Sequence, residues 1–168
     1  MVNLLLVTII ILEIITALLC LYLIGKKSFH FFHFSKRGFL LTILYSIVYF
    51  IVIYLVRDTY FGYESFGKFA MELSAPVFLL LSVYPIVIAF SEELLFRLYL
   101  SERFNIFVAS ILFTVLHYRP GFPNLMFVVL FVFAIAQCVL FKSTKSIWSV
   151  VITHLVATYS IIFIYTQI

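Results

Sequence analysis

The chain has 168 residues, of which 65% are hydrophobic, 20% aromatic and 11% charged, with a net charge of +4 and a mean hydropathy of +1.24. A water-soluble domain of this size needs about a quarter of its residues charged, so these figures exclude one, and they also exclude disordered and collagen-like chains. What remains is an integral membrane protein, small enough that nearly the whole chain lies in or against the bilayer as one domain over residues 1–168; composition leaves its architecture open, and it is the apolar run lengths that make it all-α.

About six transmembrane or membrane-embedded helices are expected. The first, residues 2–24, is long enough to span a hydrocarbon core. It is not a signal peptide, since it lacks a basic start and a small-residue cleavage site. Residues 25–37 carry Lys26, Lys27, Lys36 and Arg37 around the string Phe29 to Phe34. This reads as an interfacial stretch with its rings at headgroup level, in preference to a metal site built from His30 and His33. A second span covers residues 38–56 and a polar stretch residues 57–72.

The third segment, residues 73–101, holds Pro76, Pro85, Glu92 and Glu93. The fourth, residues 105–118, is too short to cross a bilayer alone. It ends at Arg119-Pro120-Gly121-Phe122-Pro123-Asn124, a helix-breaking sequence. The result is a short broken helix around residues 105–124. Residues 125–141 and 147–168 form the fifth and sixth segments.

The loops after segments one, three and five hold Lys26, Lys27, Lys36, Arg37, Arg103, Lys142 and Lys145, against Arg57, Lys68 and Arg119 opposite. The richer side is expected to face the cytoplasm of a multi-pass protein of the cell membrane. The basic excess suggests anionic lipid headgroups as a partner and not nucleic acid, because no basic face has room for a duplex. Cys20 and Cys138 lack metal or redox spacing and read as buried thiols.

Glu13, Glu92 and Glu93 fall inside apolar runs, where an ionisable group is costly enough to suggest function. Glu93 and Arg97 stand four apart with the acid first, the favoured spacing for an ion pair on one helix face. Glu92 points about 100° away and is left to face a cavity. Counting residues from the basic side puts Glu92 roughly 13 Å, His117 roughly 18 Å and His154 roughly 10 Å deep, so a carboxylate and two imidazoles share one level. A structural charge cluster near a helix end is the competing reading for the acids, and hydrogen-bonded helix packing for each histidine. An imidazole at that level can also orient water or donate to an oxyanion, with Thr158 as a further hydroxyl donor. Glu13 reads as a structural group bonded to a Tyr or Thr of a neighbouring helix, in preference to one that joins the cavity, and Arg119 is open to either a substrate carboxylate or an interface.

The order Glu92-Glu93-x-x-x-Arg97, Phe113-x-x-x-His117 and His154-x-x-x-Thr158, with Ser146-Ile147-Trp148 before the last, resembles the CAAX protease and bacteriocin-processing (CPBP, or Abi) family of intramembrane glutamic proteases, which includes the Rce1 prenyl-protein endopeptidases. The family-like catalytic core runs over about residues 73–168. The resemblance implies a helical membrane fold with a polar cavity open to the cytosol, and hydrolysis of a peptide or protein substrate in the membrane without a cofactor. It also implies that Glu92 activates water, that His117 helps hold it, and that His154 and Thr158 stabilise the oxyanion, with Glu93, Arg97 and Phe113 supporting them. Thr158 stands where the family usually has Asn, and a hydroxyl gives one hydrogen where an amide gives two. Ala134 and Ala136 occupy a stretch where glycines are common in the family. Two other readings fit the same residues. One is a zinc protease using the Glu/His set, although no His-Glu-x-x-His motif is present; the other is a non-catalytic binding, immunity or regulatory protein.

Overall fold

The computed structural model describes residues 2–25, 30–56, 75–117 and 124–166. The polar stretch 57–72, Lys26, Lys27 and the breaker residues 119–123 lie outside the described residues. Six helices follow one another: α1 (Val2–Ile24), α2 (Lys36–Val56), α3 (Ala75–Glu93), α4 (Ile106–Leu116), α5 (Asn124–Thr144) and α6 (Ile147–Thr166). The protein is an all-α membrane protein, and α1, α2 and α5 are long and apolar enough to cross a bilayer.

Local sequence sets the helix ends. Ser35 caps α2 by accepting from the Gly38 amide at 2.9 Å, and Asn105, in extended backbone, caps α4 by accepting from Val108 at 2.9 Å. Gly25 closes α1 with φ +65°, a conformation glycine adopts without steric penalty. Lys145 takes φ 51° between α5 and α6. It is held there by its amide bond to the Phe141 carbonyl at 2.7 Å and an ion pair with Glu102 at 3.4 Å.

One departure from the expected helix is specific. After Glu93 the third helix continues as a π-helix over Leu94–Leu100, then closes with a helical turn at Ser101–Arg103. The Ser101 amide bonds the Phe96 carbonyl five residues back. Such stretches are uncommon and cluster at functional sites.

The outer faces of α1 and α2 are apolar and exposed, as in Leu12, Leu18, Leu40 and Leu55, which is what lipid solvates. The inward stripe of α1 is small, with Ala17 and Cys20 packed against Leu94 and Leu98 of the π stretch. Small residues let helices approach closely where the hydrophobic effect does not drive association. α2 packs chiefly on α6, and α1 on α3. Gly38 sits where a Cβ would come within 3.2 Å of Ser149 Oγ, so its lack of a side chain permits that approach.

Part of the aromatic string packs on the helix bundle. Phe31 packs on Phe141 at 5.4 Å between ring centroids, and Phe32 lies between Phe90 at 6.2 Å and Trp148 at 6.1 Å. His30 and His33 stay exposed. Phe31 and Phe32 are half-buried there, against the end of α5 and the α3/α6 pair.

Candidate active site

The site is built where α3 passes into the π stretch and meets α4, α5 and α6. Arg97 and Glu93 are fully buried and form an ion pair, Nε to Oε2, at 2.9 Å. The guanidinium lies over the Phe113 ring at 4.8 Å and near the Phe96 ring at 5.8 Å. Cys138 of α5 approaches Arg97 Nη1 at 4.0 Å and Ser110 at 3.9 Å.

Two imidazoles are oriented by their Nδ1 atoms. His154 Nδ1 bonds Glu93 Oε1 at 2.8 Å, and His117 Nδ1 bonds the Phe113 carbonyl at 2.8 Å. A carbonyl oxygen only accepts, so His117 carries its proton on Nδ1, and the Glu93 carboxylate imposes the same on His154. Both rings therefore turn Nε2 toward Glu92: His117 Nε2 lies 3.5 Å from Oε1, and His154 Nε2 3.8 Å from Oε2. These separations exceed a direct hydrogen bond and suit a group held between. Glu92 Oε2 is buried and has no hydrogen-bond partner among the described residues.

Aromatic walls fix the rings. Phe113 stacks on His117, with centroids 4.1 Å apart and planes 25° from parallel, and presents an edge to His154. Phe133 of α5 presents another edge to His154 at 5.4 Å. Ala134 is fully buried between Phe96 and Phe113, where a larger residue would push α5 away from α4.

Of the residues singled out by sequence, Glu92, Glu93, Arg97, Phe113, His117 and His154 are brought together. Thr158 is not joined to them: it lies one turn beyond His154, half-buried, and its hydroxyl makes no hydrogen bond among the described residues. No group of three His, Cys, Asp or Glu side chains among the described residues has metal-holding geometry. Sequence reasoning missed Phe133, Cys138 and Ser91, whose hydroxyl donates to the Glu13 carboxylate. Ala134, Cys138 and Phe141 recur at helical spacing along one face of α5, a pattern that signals an inward stripe but not what it touches.

A carboxylate faced by two oriented imidazoles thus stands beside a buried Glu–Arg pair in a helical membrane protein. The chain belongs to the Rce1-like family, described as type II CAAX prenyl endopeptidase Rce1-like, whose model matches residues 74–160, just over half of its length. No curated protein and no solved structure matches the chain significantly.

Proposed function

We propose that this protein is an intramembrane endopeptidase in which Glu92 activates a water molecule. The carrying observation is the Glu92 carboxylate set 3.5 Å and 3.8 Å from the two Nε2 atoms, with Oε2 making no hydrogen bond among the described residues. A buried carboxylate oxygen calls for a donor, and a water held against Glu92 beside the two imidazoles supplies it. Glu92 takes one proton from that water as the oxygen bonds the peptide carbonyl carbon. His154, which stands between two carboxylates, donates from Nε2 to the oxyanion once its ring carries a second proton beside the one on Nδ1. Glu92 then passes its proton to the amine nitrogen as the C–N bond breaks, leaving a carboxyl and a free amine. The family description supports a substrate ending in a prenylated cysteine and three further residues.

The end that holds Lys36, Arg37, Arg103, Lys142 and Lys145 is the cytoplasmic one in this reading. Two contacts support treating it as one face: Ser146 Oγ donates to the His33 carbonyl at 2.5 Å, and Lys145 pairs with Glu102.

The test is cleavage of a fluorogenic peptide carrying a farnesylated cysteine and three residues after it, by the purified protein in detergent. Run in ¹⁸O-water, it should place one ¹⁸O in the new carboxyl, and prolonged dialysis against a strong zinc chelator should leave the rate unchanged. Loss of turnover on chelation would replace the glutamate mechanism with a metal-dependent one.

Thr158 supports a second reading, a non-catalytic membrane partner, because its hydroxyl stands where the family usually has an amide. Thr158→Val, which keeps the shape and removes the hydroxyl, separates the two. For a protease that uses this donor, kcat drops about tenfold at constant KM, below the 10²–10³ of a fully engaged oxyanion donor. Equal kcat in the variant removes Thr158 from the mechanism.

A further inference from the structure

Glu13 takes no part in the reaction just described, yet its carboxylate accepts a hydrogen bond from Ser91, the residue directly before Glu92. Ser91 is 1% exposed. Glu13 shares the inward stripe of α1 with Ala17 and Cys20, four and seven residues on, both buried against the π stretch. The contact is thus between the faces on which α1 and the third helix meet.

Ser91, Glu92 and Glu93 are successive residues, about 100° apart around the helix. Ser91 is tied to α1 through Glu13, and Glu93 to Arg97 and to His154 of α6. Glu92 projects between these two ties toward His117 and His154. The backbone bonding changes to the π pattern directly after Glu93, so the helix's own hydrogen bonds set its rotation least firmly there.

We infer that Glu13 is a positioning residue: through Ser91 it fixes the rotation of the third helix and so aims Glu92 at the two imidazoles. This rests on the reading of Glu92 as the base. The Ser91 hydroxyl also lies 3.1 Å from the Ile88 carbonyl of its own helix, a second acceptor for its one hydrogen. Removing Glu13 therefore leaves the Ser91 hydroxyl partnered, and the loss falls on aim more than on stability.

The experiment compares Glu13→Leu, Glu13→Gln and Ser91→Ala with the parent chain. On the farnesylated peptide, Glu13→Leu and Ser91→Ala each lower kcat about tenfold with KM unchanged. Glu13→Gln, whose amide oxygen still accepts, restores the rate. The double variant Glu13→Leu with Ser91→Ala is no slower than either single one, because both remove one interaction. A second readout needs no turnover: in a Glu92→Cys background, Glu13→Leu changes the alkylation rate of the new thiol by a water-soluble maleimide severalfold, and Glu13→Gln does not. An alkylation rate indifferent to Glu13→Leu overturns the inference, as does an undiminished kcat. A changed alkylation rate in a protein that cleaves no peptide upholds the positioning and sinks the protease.

Discussion

Glu92→Gln is expected to lower kcat on the farnesylated peptide by about 10³- to 10⁴-fold while leaving the protein folded and its KM within about twofold. The amide keeps the size and polarity of the side chain but cannot take a proton from water, and general-base catalysis is worth about 10²–10⁴. Loss of the later proton delivery to the leaving amine places the effect at the upper end. Glu92 is 15% exposed and makes no hydrogen bond that fixes a neighbouring helix, so the change is not expected to unfold the bundle. Melting curves in detergent that overlay those of the parent chain, with turnover gone, are the expected pair of results. Unchanged turnover in Glu92→Gln would end the proposed mechanism.

The second large effect concerns stability. Arg97→Met fills the same space between Phe96 and Phe113 but leaves the Glu93 carboxylate, fully buried, without its cation. Removing one member of a buried pair costs about 3–5 kcal/mol, because the remaining charge keeps only its contact with His154. Arg97→Lys is expected to recover only part of this, since an ammonium lacks the planar group that lies over the Phe113 ring. Glu93→Leu with Arg97→Met should regain most of the stability, because the desolvation penalty of both ions disappears. It should remain slow, since His154 Nδ1 then has no acceptor to hold its ring toward Glu92. A double variant as active as the parent would show that the pair stabilises the bundle and does not orient His154.

Sequence and structure agree where depth and spacing decide the matter. Apolar run lengths give six helices, and counting residues from the basic loops puts Glu92, His117 and His154 on one level, where the structure brings them together. The four-residue spacing of Glu93 and Arg97 survives into the structure as an ion pair, although it spans the start of a π-helix. That π stretch itself has no residue signature: Leu94-Leu95-Phe96-Arg97-Leu98-Tyr99-Leu100 reads equally well as an α-helix, since the change lies in backbone bonding alone. The partner of Glu13 was equally illegible, because Ser91 is 78 residues away and many hydroxyls lie at a similar depth. The packing partners of the aromatic string are illegible for a related reason. Phe31 and Phe32 have the composition of an interfacial belt, and only the position of Phe141, Phe90 and Trp148 decides that they turn inward.

The pairing of α1 with α3 and of α2 with α6 also shapes how the molecule assembles. Both early helices reach the bilayer before the elements they pack on have been synthesised. At about 5–20 residues per second, the 78 residues between Glu13 and Ser91 take roughly 4–16 s to emerge. During that interval the Glu13 carboxyl sits in an apolar helix with its native donor still unmade, which is costly in hydrocarbon. The nascent first helix therefore has reason to stay beside the insertion machinery, or to ride shallow in the membrane, until the third helix arrives to receive it.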